Sequence, residues 1–258
     1  MSGITFTEEA ARKLEAMYTT ADVIAQRAET LRLLALTPGE RVIDIGCGPG
    51  FLGEDMAAAV GTDGSVLGID VSADFVGLAA RRSMHENAAY RIGDATDVDA
   101  PDGAFDVAVC TQVAEYIPDV DAAVAEAFRV LRPGGRALFV ATDWDTLVWH
   151  SDAPDRMRTV LAGWETHCAH PRLPRTLAPR LRNAGFADVA AHVFPILNLD
   201  WNDDTYSKGL TAMVETFHAA AEGETDLAGW AAEFPKLSAE GRYFFSIERF
   251  IFLATKPR

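Results

Sequence analysis

The chain has 258 residues, of which 49% are hydrophobic, and its 23 Lys and Arg against 38 Asp and Glu leave a net charge of −15. This acidity argues against a nucleic-acid partner, because such binding depends largely on neutralising phosphates. No apolar run is long enough to cross a bilayer, and the three cysteines lack a CxxC spacing. We therefore expect a cytoplasmic protein without a disulfide framework, built as one α/β domain with an elaboration.

Two helices are predicted ahead of the first strand, within residues 1–36. Thr7 fits the N-cap of a helix over residues 5–19, and acidic residues follow it in the first turn. Apolar residues recur at helical spacing over residues 21–36, and Pro38 and Gly39 then end that helix. The segment 1–36 is thus predicted to be a helical cover for the rest of the domain.

A buried strand followed by a glycine turn is the main feature of the sequence. Val42, Ile43 and Ile45 form a β-branched run of the kind found in strands that are buried on both faces. Three glycines follow within residues 46–50, and they let backbone N–H groups approach a ligand closely. Asp44 lies inside this strand, where its carboxylate could order the turn or face a positively charged cofactor. The pattern predicts a cofactor site at the end of the strand.

A second carboxylate supports a nucleoside-containing cofactor. After a helix over residues 51–60, a second strand over residues 65–69 ends at Asp70. A carboxylate in this position can accept hydrogen bonds from the two hydroxyls of a ribose. Residues 48–53 also spell GxGxxG, which by itself is weak support for a dinucleotide. No tyrosine of the chain has a lysine four residues later, so the Tyr-x-x-x-Lys pattern of short-chain dehydrogenases is missing.

The rest of the chain continues the alternation of strands and helices. Further strands are predicted over residues 90–92, 105–110, 137–141, 187–197 and 249–255, with helices over 72–85, 119–131, 155–167 and 174–184. Residues 37–197 and 248–258 are expected to form the sheet core of a single domain. Residues 198–247 are rich in aromatic side chains and include a predicted helix over 205–221, so we expect them to form a helical lid insertion.

Five motifs carry a resemblance to a known family. VIDIGCGPG at 42–50, GIDVS at 68–72, GDATD at 93–97, FDVAVCTQVAEYIPD at 105–119 and LRPGGRALFV at 131–140 occur in the order and spacing of class I S-adenosylmethionine-dependent methyltransferases. The chain resembles the small-molecule branch that includes the ubiquinone/menaquinone C-methyltransferases. The resemblance implies a Rossmann-like, doubly wound α/β sheet of seven strands in the order 3-2-1-4-5-7-6, with the last strand antiparallel.

The same resemblance implies S-adenosylmethionine as cofactor and a set of residues around it. Tyr18 would close over its methionine end, Arg27 would pair with its carboxylate, and Asp94 would read the adenine amine. Each has an ordinary alternative: Tyr18 ends a helix, Arg27 is solvated, and Asp94 closes a turn. The cofactor-binding residues carried over are Tyr18, Arg27, Asp44, Gly46, Cys47, Gly48, Asp70, Val71, Gly93, Asp94, Ala95, Thr111 and Gln112.

The acceptor pocket is predicted at the carboxyl ends of the fourth and fifth strands. His150 and Tyr116 are the first candidates for a general base, ahead of His167, His170 and the nearby carboxylates. Many relatives carry a histidine near residues 115–116, and this chain does not. The spacing of residues 167–170 does not favour a metal site, so no metal is predicted. The predicted pocket residues are Glu115, Trp144, Asp145, Trp149 and Tyr206.

Three functions are therefore open from the sequence. The first is in-line methyl transfer to a small, flat or apolar metabolite. The second is an NAD-linked oxidoreductase that uses the glycine turn, and the third is a non-catalytic protein that binds the cofactor as a scaffold. The acceptor atom, whether oxygen, nitrogen, carbon or sulfur, stays open, as does the choice between a monomer and a homodimer.

Overall fold

The computed structural model describes residues 15–220 and 226–258. The helix predicted over residues 5–19 begins outside this range, and its last turn, residues 15–18, is helical. None of the described helices is both long enough and apolar enough to pass through a lipid bilayer.

Within the described residues, eight strands form one mixed sheet. Strands β1 to β4 run parallel in the order β3-β2-β1-β4, and β5 extends this parallel set next to β4. Strand β8 is antiparallel to β5 on one side and to β7 on the other. The strands are β1 (Arg41–Ile45), β2 (Ser65–Asp70), β3 (Ala88–Ile92), β4 (Phe105–Thr111), β5 (Leu131–Thr142), β6 (Val148–Trp149), β7 (Ala187–Asn198) and β8 (Phe245–Thr255).

The predicted strand order is confirmed. The two-residue strand β6, which the sequence did not predict, pairs with the start of β8. Without β6, the order β3-β2-β1-β4-β5-β8-β7 is the order predicted for seven strands. Such a sheet has its ligand crevice at the carboxyl ends of β1 and β4, where the direction of winding reverses.

Helices cover both faces of this sheet. They are α1 (Ala21–Leu34), α2 (Phe51–Val60), α3 (Ala73–Arg82), α4 (Val120–Val130), α5 (Pro154–Trp164), α6 (Pro174–Asn183), α7 (Tyr206–Ala220) and α8 (Leu227–Ala239). On one face, α1 and α2 bury Leu34, Met56 and Val60 against β1. On the opposite face, α4 and α6 bury Val124 and Leu177 in a second apolar cluster. This arrangement is the doubly wound α/β fold expected from the sequence.

A third apolar cluster lies beyond the sheet and is mostly aromatic. Trp149 stacks on Phe234 with ring centroids 4.7 Å apart, and Trp230 and Phe245 pack against its edges. Helices α5, α7 and α8 all contribute to this cluster. The aromatic residues that the sequence showed in segment 198–247 therefore hold α7 and α8 against β8 and α5.

Several element boundaries differ from the prediction for identifiable reasons. Strand β8 begins at Phe245 rather than at residue 249, because β7 pairs with it along its whole length. Helix α5 ends at Trp164, and the residues up to His167 form a tighter 3-10 turn. Helix α1 ends at Leu34, where Ala35 adopts a left-handed conformation with φ +46°.

Candidate cofactor and acceptor site

The glycine turn lies across the carboxyl end of β2. The N–H groups of Gly46 and Cys47 donate to the carbonyl of Ile69 at 2.8 and 2.9 Å. Gly46 has φ +77°, and a Cβ there would come within 2.3 Å of Val113 Cγ2. Only glycine fits both the backbone conformation and the space at this position.

The GxGxxG spacing has a packing explanation. A Cβ on Gly53 would lie 2.5 Å from the hydroxyl oxygen of Tyr90, and a Cβ on Gly68 would lie 2.5 Å from the ring of the same tyrosine. The third glycine of the motif therefore makes room for the Tyr90 ring. The motif needs no dinucleotide pyrophosphate to explain it.

Asp70 holds the glycine turn from the end of β2. Its carboxylate accepts hydrogen bonds from Gly48 N–H at 3.0 Å and from Ser72 N–H at 2.9 Å. Desolvation by burial raises the pKa of Asp70, and the two backbone hydrogen bonds oppose this effect. The next residue, Val71, is 72% exposed at the mouth of the crevice.

Asp44 is the most unusual group in the site. Only 1% of the residue is exposed, and its atom Oδ1 has no hydrogen-bond partner among the described residues. Burial, together with the charge of Asp70, raises the pKa of Asp44 to about 7. Burying a carboxylate without a partner is costly. A cationic ligand beside the glycine turn would supply the missing counter-charge, so the residues present fit a sulfonium cofactor.

The cover over this cleft comes from the segment before β1. Tyr18 stacks on Phe51, with ring centroids 5.9 Å apart. Arg27 donates to Asp55 at 2.7 Å and to the backbone carbonyl of Tyr18 at 3.2 Å, so its guanidinium ties the cover to α2. Its predicted pairing with the cofactor carboxylate stays a prediction. The cleft is lined by Tyr18, Val23, Gln26, Arg27, Thr30, Asp44, Gly46, Cys47, Pro49, Phe51, Leu52 and Thr111.

The predicted adenine-reading residues lie at the end of β3. Gly93 N–H donates to the backbone carbonyl of Asp70 at 3.0 Å, which ties this loop to the end of β2. Asp94 Oδ1 accepts from both the N–H and the hydroxyl of Thr96 at 2.8 Å. These bonds stabilise a turn and hold the exposed carboxylate at the crevice. Ala95 follows it, packed partly against the core. The adenine contact stays a prediction.

A buried polar cluster lies at the carboxyl ends of β4 and β5. Gln112 has φ +56°, and its side-chain carbonyl accepts from the Thr142 hydroxyl at 2.7 Å. Arg249, directly opposite Thr142 in the β5–β8 pairing, donates to the same hydroxyl. Glu115 Oε1 accepts from the N–H of Thr142 at 3.4 Å. We call Gln112, Glu115, Thr142 and Arg249 the polar cluster.

The predicted pocket residues divide between this cluster and other places. Tyr206 is buried, and the Arg249 guanidinium lies 4.8 Å from the centre of its ring. Trp144 packs edge-on against the His167 ring at 4.5 Å. Asp145 instead forms exposed ion pairs with Arg172 and Arg175.

Trp149 and His150 lie on a different part of the surface. Trp149 donates to the hydroxyl of Tyr243 at 3.1 Å inside the aromatic cluster. The side chain of His150 is 43% exposed and lies 3.8 Å from Asp152. His150 lines a surface depression together with Met157, Arg158 and Phe244, and this depression shares no lining residue with the cofactor cleft in the described parts of the chain.

Tyr116, the other predicted base, borders the polar cluster. The residue as a whole is 38% exposed, but its hydroxyl is desolvated and lies close enough to Glu115 for the charge of that carboxylate to affect it. These effects raise the pKa of Tyr116 well above its usual value. The hydroxyl is therefore neutral over the physiological range.

Two members of the polar cluster were missed by sequence reasoning. Arg249 is 3% exposed and Thr142 is fully buried. The signal for Arg249 was present: Phe245, Ile247 and Ile251 occupy alternate positions of β8, and Arg249 falls in the same buried register. A lone arginine on the apolar face of a strand indicates a partner or a ligand.

Within residues 15–220 and 226–258, no three His, Cys, Asp or Glu side chains come together in a way that could hold a metal ion. His167 donates through Nδ1–H to the carbonyl oxygen of Trp164, 2.6 Å away. Burial lowers the pKa of His167 to about 4, so its ring is neutral at physiological pH.

Comparisons with known proteins place this geometry in a family. The model of the methyltransferase domain matches residues 43–139, from β1 to β5. An uncharacterized transposon protein of Streptomyces fradiae is 38% identical over 143 residues, which are 55% of this chain and 41% of that protein. Nocamycin O-methyltransferase of Saccharothrix syringae is 31% identical over 198 residues, which are 69% of this chain and 71% of that enzyme.

A solved structure supports the fold over nearly the whole chain. It is a phosphoethanolamine N-methyltransferase of Haemonchus contortus in complex with phosphomonomethylethanolamine and S-adenosylhomocysteine. Its TM-score is 0.66 at 17% identity, and the match covers 99% of this chain and 58% of that protein. This chain thus spans less than two thirds of some relatives and about seven tenths of the Saccharothrix enzyme. The chain belongs to the class I S-adenosylmethionine-dependent methyltransferases.

Proposed function

We propose that this protein transfers the methyl group of S-adenosylmethionine to a small-molecule acceptor by in-line displacement. The observation that carries the proposal is the buried carboxylate of Asp44, whose Oδ1 is unpaired among the described groups at the foot of the glycine turn. A carboxyl group that ionises near pH 7 in a desolvated cleft fits the positive sulfur of this cofactor better than the neutral ring of a reduced nicotinamide.

The cofactor residues are proposed as the sequence predicted them. Asp70 would accept the ribose hydroxyls, Asp94 the adenine amine, and Tyr18 would cover the methionine end. When bound, the cofactor supplies an activated methyl group: the acceptor forms a bond to the methyl carbon, and the carbon–sulfur bond breaks with its electrons left on sulfur. The protein's contribution is to hold the acceptor in line and to exclude water.

The acceptor would enter between the polar cluster and segment 198–247, which we propose as the lid. Tyr206, on α7 of this segment, is buried against Arg249 and Phe245, so α7 forms one wall beside the polar cluster. Aromatic walls favour a flat or apolar acceptor. The name of the Saccharothrix relative, a nocamycin O-methyltransferase, supports an acceptor of small-molecule size.

The free cysteines and the net charge support a location and a class of partner. All three cysteines are free thiols, which suits a reducing compartment such as the cytoplasm. The net charge of −15 disfavours a nucleic-acid acceptor.

One experiment separates the candidate functions. Isothermal titration calorimetry with S-adenosylmethionine and with NAD+ is followed by incubation with methyl-labelled cofactor and a small-molecule extract of the host. Binding of S-adenosylmethionine with a labelled product supports the proposal. Binding of NAD+ alone supports the oxidoreductase, and cofactor binding without any labelled product supports the scaffold.

The Asp70→Ala substitution should weaken binding of S-adenosylmethionine by about 1–3 kcal/mol, or roughly 5- to 150-fold in Kd. It removes the proposed ribose acceptor and also releases the N–H of Gly48. Calorimetric titration measures the change, and Asp63→Ala, on an exposed turn, is the charge-matched control. An unchanged Kd would remove Asp70 from the cofactor site.

The His150→Ala substitution tests the base predicted from the sequence. If His150 takes the proton of the acceptor, turnover should fall by about 100-fold or more while the Kd for the cofactor stays constant. Single-turnover transfer of labelled methyl measures the rate, and His192→Ala, on the exposed part of β7, serves as control. Wild-type turnover would show that His150 only lines the surface depression and is not the general base.

A further inference from the structure

The polar cluster has three buried atoms with unused hydrogen-bonding capacity. Arg249 Nε and Gln112 Nε2 are donors, and Glu115 Oε2 is an acceptor; none of them has a partner in the part of the chain that the structure describes. A buried polar atom without a partner loses its hydrogen bonds to water and gains none from the protein, which is unfavourable. The three residues that carry these atoms all bond to Thr142, two through its hydroxyl and Glu115 through its backbone N–H. Three such atoms together point to a ligand group that the cluster is built to receive.

Arg249 makes this conclusion stronger, because its charge is in no ion pair among the described residues. Its guanidinium donates to the hydroxyl of Thr142, and its Nε has no partner there. Its other contact is the face of the Tyr206 ring, 4.8 Å away. A purely structural residue here would be more stable as an apolar side chain. A buried cation with these contacts is suited to an anionic oxygen.

The cluster also adjoins the cofactor cleft. Gln112 directly follows Thr111, which lines that cleft at the end of β4. The phenol of Tyr18, which covers the cleft, is close enough to Asp70 on one side and to Arg249 on the other for both charges to affect its pKa. A group held by the polar cluster would therefore lie beside the methyl donor.

The hydrogen-bonding pattern selects among acceptor atoms. A neutral amine has a single lone pair, which it needs to attack the methyl carbon, so it could not also accept from Arg249 and Gln112. An ammonium has no lone pair and would bring a second cation next to Arg249. A carbon acid or a thiol would leave the donors and the acceptor poorly satisfied. A hydroxyl matches the cluster, since its oxygen can accept from Arg249 and Gln112 while its proton is donated to Glu115.

We infer that Arg249, Gln112 and Glu115 form a subsite for the acidic hydroxyl of a phenol or an enol, and that this oxygen is the methyl acceptor. The inference rests on the proposed function and specifies its acceptor. The hydroxyl proton passes to the Glu115 carboxylate, and the oxygen uses a lone pair to bond the methyl carbon. The carbon–sulfur bond breaks with its electrons on sulfur, so charges and protons balance.

The protonation behaviour of Glu115 is consistent with this role. Burial raises the pKa of Glu115 to about 7, with Arg249 opposing the change. The other titratable groups that face Glu115 are Cys110, Tyr116 and Cys168, and burial raises the pKa of each, so all three stay protonated at neutral pH. A base with a pKa near the working pH is effective in proton transfer.

The test uses four probes. Three differ only in the acceptor atom: 2-naphthol, 2-naphthylamine and 2-naphthalenethiol. The fourth, 1,3-cyclohexanedione, offers an enol. Each is incubated with the protein and methyl-labelled cofactor, together with the small-molecule extract of the host. We expect the label in O-methyl products from the naphthol, the enol or the extract. Label that enters nitrogen, sulfur or carbon instead would overturn the inference and leave the proposed function intact.

Substitutions in the cluster give a second readout. Glu115→Gln should lower kcat by about 100-fold or more and remove the rise of kcat with pH around 7, while the cofactor Kd changes less than twofold. Arg249→Met should raise the KM for the hydroxyl acceptor by about tenfold or more. Glu248→Gln is the matched control, since neighbouring residues of a strand point to opposite faces.

The outcomes are distinguishable from a failure of the proposed function. Calorimetry on each variant first establishes that the cofactor binds, which also shows that the fold is intact. Wild-type kcat and pH profile in Glu115→Gln, or a wild-type KM in Arg249→Met, would overturn the inference. Loss of cofactor binding in the wild-type protein itself would instead overturn the proposed function.

Discussion

Affinity for S-adenosylmethionine is expected to rise about tenfold for each pH unit between pH 5 and 7 and to level off above pH 7. In the protein without cofactor, burial and Asp70 raise the pKa of Asp44 to about 7, so its carboxyl group is protonated below that pH. A sulfonium beside Asp44 favours the ionised form. Binding must then release a proton, and a released proton makes affinity increase with pH by this slope.

Calorimetry at half-unit steps of pH measures this dependence. Repeating each titration in two buffers with different ionisation enthalpies counts the protons released. Asp44→Asn should give a flat profile, because its amide cannot ionise. Glu115→Gln is the matched control, since it removes another buried carboxyl of raised pKa but should keep the slope. S-adenosylhomocysteine, whose sulfur is neutral, should show a shallower slope, and a flat wild-type profile would contradict the role of Asp44.

The same linkage predicts a stability effect of the opposite sign. The folded-state pKa of Asp44 is raised above its unfolded value near 3.9. The neutral form of Asp44 therefore makes its full contribution to the free energy of unfolding below about pH 4. This contribution is lost as the pH rises to about 7, which lowers the free energy of unfolding by about 4 kcal/mol. Asp44→Asn avoids the loss, so urea unfolding at pH 8 without cofactor should show it to be more stable than wild type.

The sequence predicted the sheet and the cofactor edge because both depend on local patterns. The buried run at Val42, Ile43 and Ile45 has the composition that a two-faced strand needs, and all three residues are at most 2% exposed. The ends of β1 to β4 come together as a consequence of parallel topology alone. Asp44, Asp70 and Asp94 follow from these strand ends, whatever their roles prove to be.

The acceptor side was less predictable because it depends on tertiary pairing. The sequence predicted a last strand that begins at residue 249, so Phe245 and Ile247 lay outside it. These two apolar residues share the alternating register of Arg249 and identify its side chain as buried. The contact between Arg249 and Thr142 then requires the antiparallel register of β8 against β5, more than 100 residues apart in the chain. His150 was placed near this crevice by sequence proximity. In the structure, the pairing of β6 with β8 puts Trp149 inside and His150 outside.

Replacing Gly46 by alanine should destabilise the protein by about 2–4 kcal/mol and weaken cofactor binding at least tenfold. Two costs combine at this residue. The φ of +77° is unfavourable for any residue with a Cβ, and the added methyl would overlap Val113 Cγ2 at 2.3 Å. The turn can relieve the overlap only by moving, and its N–H groups are the ones that hold it to Ile69. Urea unfolding and calorimetric titration measure the two effects.

Two further variants separate the backbone cost from the steric cost. Gly39 has a similar φ of +88°, and no heavy atom of the described chain would lie within 4 Å of a Cβ there, so Gly39→Ala should cost about 1 kcal/mol and leave cofactor binding unchanged. Val113→Ala removes the methyl groups that a Cβ on Gly46 would meet. In that background Gly46→Ala should cost only about 1–2 kcal/mol. The strain remains, the overlaps with the two methyl groups at 2.3 and 2.6 Å are gone, and the Cβ of residue 113 stays at 2.9 Å. If Gly46→Ala lowers the free energy of unfolding equally with and without Val113→Ala, the steric contact with Val113 is not the reason for glycine. The positive φ of the turn would then be the whole reason.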